Sequence, residues 1–359
     1  MSKFINFIHA AQSWARNLPL PVAIRQYFVL CFEYIYNMFH YFDPSRPSTK
    51  TRIERYIQQG RQETQRLTDA GHRRPVAIIT GANTGIGYET AKSIALAGYY
   101  VVMACLKEEK PELSRDQLIR ETGLTDSFEV IHINLVSLRS IDAFVNEFKK
   151  RGLPINLIIA NAGVMMLPKY IQTEDGLESQ FQINYLGHFY LITSLLDIIK
   201  QSDNPRPRIL ILSSIVIHFA DKFDYDLILD KNKYSYNHCY FTSKMASVMF
   251  SKVLARRLEG TGITVNSLHP GVAATGLYRH LPNQIFWKYF NRYTNINAYE
   301  ASATSVLLAL SPDVKDKTGL YWAHETIQDP NPVLLDSKAQ EQLWLFSEKL
   351  ITDIKSKWN

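Results

Sequence analysis

Residues 76–98 constrain the fold more than any other stretch of the chain. Val76-Ala77-Ile78-Ile79 is short, apolar and rich in β-branched side chains, the pattern of a buried strand. Thr80-Gly81-Ala82-Asn83-Thr84-Gly85-Ile86-Gly87 follows, and Tyr88 to Ala97 then reads as an amphipathic helix that stops at Gly98. A strand, a glycine turn and a helix in this order form the setting a dinucleotide requires. Glycines let the backbone approach a pyrophosphate, and the helix N-terminus offers free N–H groups and the positive end of its dipole. Taken alone, the same turn also suits a flexible loop in an unrelated α/β protein.

The remainder of the chain alternates in the same manner. Strands are expected at 76–80, 100–105, 129–133, 156–160, 208–213, 263–268 and 319–321. Helices are expected near 86–97, 111–122, 139–150, 176–200, 236–259 and 298–310. That alternation predicts an α/β fold with a parallel sheet and right-handed crossovers. Asp203-Asn204-Pro205-Arg206-Pro207 marks a turn before the fifth strand.

Tyr240 and Lys244 lie four residues apart on an expected helix, so their side chains share one face. An ammonium beside a phenol favours the phenolate, which predicts a Tyr240 pKa below the usual ~10 and a proton-transfer role. A lone Tyr-x-x-x-Lys is common by chance. This one gains weight from its place downstream of the glycine turn and of Ser213-Ser214, at the end of the expected fifth strand.

These pieces together resemble the short-chain dehydrogenase/reductase family. Thr80 to Gly87 is similar to its cofactor turn, Asn161-Ala162-Gly163 to its Asn-Ala-Gly element, and Gln182 to Phe189 to the helix with its catalytic Asn. Ile209 to Ser214 resembles the fifth strand ending in the catalytic Ser, Tyr240 and Lys244 the Tyr-x-x-x-Lys, and His269-Pro270-Gly271 with Thr275 the loop over the nicotinamide. The motifs run in family order over residues 75–325. Within the family, Asn161 to Met165, Asn184 to Phe189, Val265 to Gly271 and the late Gln342-Leu343-Trp344 helix resemble the retinol-dehydrogenase-like group, which includes the WW-domain-containing oxidoreductase. Paired WW tryptophans are absent from residues 1–70, where Trp14 stands alone.

The resemblance implies a Rossmann-type doubly wound parallel sheet, residues 75–359, and hydride transfer between a nicotinamide and an alcohol or carbonyl carbon. It implies that Tyr240 exchanges the proton, Ser214 binds the substrate oxygen, Lys244 lowers the Tyr240 pKa and holds the ribose, and Asn184 supports Lys244 through a water. Ser213 is the rival for the serine role. The implied cofactor residues are Gly81, Asn83, Thr84, Gly85, Ile86, Gly87, Leu106, Lys107, Asn134, Leu135, Asn161, Ala162, Gly163, Tyr240, Lys244, Pro270, Gly271 and Thr275. No metal is implied. Leu106 stands where related enzymes carry an Arg for the 2′-phosphate, and no acid stands at the tip of the second strand for a 2′-hydroxyl. Lys107 favours NADP(H) over NAD(H), while Glu108 and Glu109 oppose a phosphate. Ala160 replaces the first Asn of the usual Asn-Asn-Ala-Gly, and Asn134 replaces the usual Asp before Leu135. A weakly active cofactor-binding scaffold on the same fold is the alternative function.

Composition excludes several classes. A net charge of +6 is spread among acidic residues without a Lys/Arg block, so nucleic acid is not an expected partner. Cys31, Cys105 and Cys239 are too few and too far apart for a disulfide framework or a zinc site. Cys239 reads as a small residue beside the site rather than a redox switch. Residues 277–297 are aromatic and basic, with Phe286, Trp287, Tyr289 and Phe290 beside Lys288 and Arg292. In the family this is the substrate lid, and it predicts an apolar substrate of retinoid, steroid or polyprenoid type. Residues 1–45 hold an aromatic run at 27–42, short for a spanning helix and interrupted by Glu33 and Asn37. It reads as a monotopic anchor or a short hairpin at the endoplasmic reticulum or a lipid droplet, facing the cytosol or a reducing compartment. The alternatives are a mitochondrial presequence or a core helix. Residues 46–74 read as a linker and leading arm. The resemblance also implies homodimer faces on the helices at 176–200 and 236–259.

Overall fold

The computed structural model describes residues 47–203, 206–219, 222–272 and 296–358. The aromatic run at 27–42, Thr275 and all of the expected lid but its last two residues lie outside them. Among the described residues, no helix is long and apolar enough to cross a membrane.

The sheet has eight strands in the order β3-β2-β1-β4-β5-β6-β7-β8. They are β1 (Val76–Thr80), β2 (Tyr100–Cys105), β3 (Phe128–His132), β4 (Leu157–Ala160), β5 (Arg208–Leu212), β6 (Thr264–His269), β7 (Tyr321–Ala323) and β8 (Thr326–Gln328). All pair in parallel except β7 with β8. The seven expected strands are present. The short antiparallel β8 has too weak a pattern to read in advance, since Thr326 and Ile327 are exposed. Strand order reverses between β1 and β4, and in open α/β sheets the crevice beyond the strand ends at such a reversal is where ligands bind.

Successive β1 residues face opposite ways, as the period of a strand demands. Val76 and Ile78 enter one core, Ala77 and Ile79 the other. Ile78 and Ile79 are fully buried, each worth roughly 1.5–3 kcal/mol relative to exposure. The first core lies under α4 (Leu138–Lys150), α5 (Gly187–Lys200), α6 (Tyr236–Arg257) and α8 (Ser337–Lys355). The second lies under α1 (Thr49–Asp69), α2 (Gly85–Leu96), α3 (Pro111–Thr122) and α7 (Ala303–Leu310).

Within residues 46–74, α1 is a 21-residue helix packed on the second core. Its buried Ile53, Tyr56, Gly60 and Leu67 form a narrow stripe on an otherwise polar helix. Gly60 permits the close approach, because a Cβ there would come within 2.9 Å of Leu310 and 3.1 Å of Ala97. Arg52 grips Glu325 with Nε at 2.9 Å and a terminal nitrogen at 2.7 Å, both side chains nearly buried. Tyr56 donates to the same carboxylate at 2.7 Å. Glu325 and His324 form the β7–β8 turn, both at positive φ, the pairing a tight two-residue hairpin requires.

At the other side, α8 lies across α5 and α6. Trp344 packs on Phe189 with ring centroids 4.9 Å apart and on Phe250 at 5.8 Å. Ser347 bonds the Tyr185 hydroxyl at 2.6 Å. The chain's own C-terminal helix therefore covers part of the face on α5 and α6 that the resemblance assigns to a dimer.

Candidate active site

The glycine turn closes as its sequence requires. Gly81 and Gly85 take φ of 63° and 56°, which disfavour a side chain. A Cβ on Gly87 would sit 2.1 Å from the Gly81 carbonyl oxygen, so only glycine lets α2 start this close to β1. Thr84 caps α2 without a side-chain hydrogen bond, and Gly85, Ile86 and Gly87 form its first turn. The buried Asn83 Oδ1 has no hydrogen-bond partner, while Asn83 Nδ2 donates to Glu109 at 2.7 Å. A turn with glycine at 81, 85 and 87, a helix start without a side-chain cap and an orphaned acceptor fit a dinucleotide phosphate and ribose. Leu106 precedes the short turn Lys107–Glu109 at the tip of β2. Asn134 closes its own turn by accepting from the Val136 N–H at 3.2 Å, and Leu135 is buried beside it.

Asn161, Ala162 and Gly163 continue from β4 and are pinned to the end of β1. Asn161 Nδ2 donates to the Thr80 carbonyl at 2.8 Å, and the Asn161 and Ala162 N–H groups both reach Thr80 Oγ1 at 2.9 Å. Ala160, the departure from the family pattern, is a buried core residue at the end of β4. Pro270 and Gly271 follow β6, and Gly271 takes φ of 88° against Ile296.

Asn184 lies in a π-helical turn, Gln182–Leu186, that leads into α5. Such turns recur at functional sites, since they break regular helical bonding. Its side chain brackets Val164, accepting from the N–H at 2.8 Å and donating to the carbonyl at 2.9 Å, and also donates to Ser243 at 2.9 Å. A Cβ on Gly163 would meet Asn184 Oδ1 at 2.9 Å and Lys244 Nζ at 3.5 Å, so these two polar ends flank that glycine.

Ser213 and Ser214 have different surroundings. Ser213 Oγ donates to the Lys244 carbonyl at 2.8 Å, inside the protein. Ser214 follows β5, its Oγ accepts from the Val216 N–H at 3.4 Å, and its hydroxyl neighbours the Tyr240 phenol closely enough to favour the phenolate. Tyr240 is 3% exposed and sits in an apolar cluster with Met165, Ile215, Val216, Phe219 and Phe241.

The expected lowering of the Tyr240 pKa is not what this site produces. Burial pushes the phenol up to about 12, and only the Ser214 hydroxyl opposes it. Burial is the physical reason, and Lys244 does not offset it. Its ammonium donates to the Leu212 carbonyl at 3.2 Å and sits 5.9 Å from the Tyr240 ring centre. Burial brings its own pKa down to about 8, so it is still mostly charged at neutral pH, and distance rather than neutralisation limits its effect on the phenol. Cys239, next in the chain, has its thiol pushed up to about 12 by burial, the opposite of a reactive thiolate.

Two residues inside the motifs have parts that the sequence reading did not assign. Thr80 is the knot between β1 and the Asn161 turn. His188, buried on α5, touches Thr80 on one side and the Asn184 main chain on the other. A polar residue immediately before the glycine turn and a histidine inside an apolar helix were the available signals.

Comparison with known proteins agrees with this geometry. Residues 75–285 match the model of the short chain dehydrogenase family. Human retinol dehydrogenase 14 is 35% identical over 299 residues, covering 77% of this chain and 86% of that protein. Human WW domain-containing oxidoreductase is 32% identical over 328 residues, covering 87% and 75%. An uncharacterized protein from Mycobacterium paratuberculosis, known from its crystal structure, superposes with a TM-score of 0.60 at 26% identity, covering 78% of this chain and 93% of that one.

Proposed function

The chain belongs to the short-chain dehydrogenase family, an NAD(P)-dependent oxidoreductase of the retinol-dehydrogenase-like group, and on that premise we propose that it reduces an apolar aldehyde or ketone, with Tyr240 as the proton donor. The carrying observation is the buried Tyr240 phenol in an apolar cluster, one helical turn before a Lys244 whose Nζ shares the flank of Gly163 with Asn184 Oδ1. Bound at that turn, the nicotinamide cofactor would supply or accept the hydride. Ser214 holds the substrate oxygen and steadies the charge that develops on it. Tyr240, protonated at neutral pH, gives that oxygen its proton. Lys244 and Asn184, flanking Gly163, hold the ribose and keep this wall of the site in register.

The apolar side chains around Tyr240 support a hydrophobic substrate. A retinoid, steroid or polyprenoid carbonyl fits, and the name of the relative retinol dehydrogenase 14 supports the retinoid. Gly81 to Gly87, Leu106, Lys107, Asn134, Leu135, Asn161 to Gly163, Pro270, Gly271 and Thr275 form the proposed cofactor site. NADP(H) is supported by Lys107 and by the lack of an acid immediately after β2. One observation favours NAD(H) instead, the Glu109 carboxylate fixed against Asn83, where it would repel a 2′-phosphate. Residues 1–45 are proposed to anchor the domain on a membrane surface, of endoplasmic reticulum or lipid droplet and alternatively in mitochondria. Deleting them should release the protein from microsomes.

The test is a fluorescence titration of the full chain with NADPH and NADH, for wild type and Lys244→Ala, followed by a panel of apolar aldehydes with the nucleotide that binds. Tight binding that weakens in the variant, and aldehyde-dependent nucleotide oxidation, are expected. A folded protein that binds neither nucleotide overturns the oxidoreductase reading and leaves the scaffold.

A further inference from the structure

Thr80 Oγ1 accepts from two N–H groups, those of Asn161 and Ala162, each at 2.9 Å. A hydroxyl has two lone-pair positions and one proton. With both lone pairs engaged, the proton is directed to its remaining neighbour, His188 Nε2, at 2.9 Å. Nε2 is therefore an acceptor. A neutral imidazole then carries its hydrogen on Nδ1, which faces the Asn184 carbonyl oxygen at 3.3 Å. The ring is 2% exposed, and burial brings its pKa down to about 4, so it is neutral at physiological pH.

We propose that His188, in its Nδ1–H tautomer, is a positioning residue that fixes the Asn184 main chain against the end of β1 and the Asn161-Ala162-Gly163 turn. This rests on the proposed function for its catalytic meaning. The tie falls where the helix changes from the wider π turn to regular α bonding. Two side chains reach the Asn184 carbonyl oxygen, His188 Nδ1 and Ser247 Oγ, each at 3.3 Å, and Ser247 Oγ also reaches the Ser243 carbonyl at 3.1 Å, so the hydroxyl is shared and the imidazole N–H is not. Any swing of that peptide would carry the Asn184 amide with it and disturb Val164, the residue after Gly163. His188 thus connects the cofactor turn to the catalytic helix through one neutral ring.

The proposal is tested with two isosteres. The amide nitrogen of His188→Asn can occupy the place of Nδ1 and donate to the Asn184 carbonyl. His188→Gln instead reaches toward Thr80. With all-trans-retinal and NADPH, His188→Asn is expected to keep kcat within about threefold of wild type, and His188→Gln to lose about tenfold or more in kcat with KM little changed, the scale of one misplaced group. Equal losses in both variants, tracking thermal midpoint alone, overturn the proposal and leave a plain core histidine. An independent arm needs no turnover. In the 15N-histidine-labelled full chain, His188 should show a protonated Nδ1, a bare Nε2 and no titration between pH 8 and 5.5. An Nε2–H tautomer, or a titration in that range, overturns it equally. Should wild type bind no nucleotide, the oxidoreductase reading fails while the labelled ring still decides the tautomer.

Discussion

Ser213 Oγ donates to the main-chain carbonyl of Lys244 at 2.8 Å, tying the end of β5 to α6 and leaving Ser214 as the serine whose hydroxyl neighbours Tyr240. The two neighbours should therefore respond differently to the same change. Ser214→Ala is expected to lower kcat by about 10²- to 10³-fold, the scale of one lost oxyanion donor, with an unaltered urea midpoint. Ser213→Ala should leave the Lys244 carbonyl without this donor and cost about 1–3 kcal/mol of stability. Parallel urea melts and steady-state assays decide this, and a catalytic loss confined to Ser213→Ala would reverse the assignment.

The Arg52–Glu325 pair predicts a stability pattern. Removing one member of a buried ion pair leaves the other uncompensated, at about 3–5 kcal/mol, while replacing both with uncharged groups is far milder. Arg52→Ala and Glu325→Gln should each lower the unfolding free energy. The double variant Arg52→Met with Glu325→Gln should recover much of the loss, since Gln can still accept from Tyr56. Additive losses in urea melts would show that the pair is not coupled.

His188 predicts a pH dependence whose sign can be fixed. Its pKa in the folded chain is about 4, below the ordinary 6.5. Between these values the unfolded chain binds the proton and the folded chain does not, so folding stability falls as pH drops from 6.5 toward 4. The full effect is about 3 kcal/mol. Urea midpoints of wild type should decline more steeply over that range than those of His188→Asn. Parallel slopes would refute the buried neutral ring.

Glu109 predicts a shift in cofactor preference. Glu109→Gln keeps an acceptor for Asn83 and removes a negative charge near the glycine turn. The ratio of NADPH to NADH affinity should rise by about tenfold, the scale of one charge interaction in a partly solvated site. An unchanged ratio in the fluorescence titration would remove Glu109 from cofactor choice.

The cover that α8 provides over α5 and α6 predicts that this face does not form a dimer. Sedimentation of the full chain in detergent micelles should give a single-chain species whose mass does not grow over a hundredfold range of protein concentration. Dissociable dimers built on α5 and α6 would count against it.

Much of this architecture is legible in the chain. Continuous β-branched runs such as Val76 to Ile79 announce buried parallel strands, and Gly87 announces a contact only glycine allows. What escapes is long-range. The buried stripe of α1 is only a few residues wide, and its key ion partner lies 273 positions away. The spacing of Tyr240 and Lys244 shows that they share a helix face, but not that the Leu212 carbonyl engages the ammonium and that burial outweighs its charge. The role of His188 needs the orientation of the Thr80 hydroxyl, which depends on a turn that begins 81 residues further on.

Helix α1 spans about 31 Å at 1.5 Å per residue, and it is fastened near its start by Arg52 and at its middle by the close approach at Gly60. A flexible tether would let the domain tumble and would fix only its distance from an attachment point. A strut fastened at two places transmits orientation as well. The helix therefore keeps one fixed direction relative to the sheet, and so to the crevice at the β1–β4 reversal.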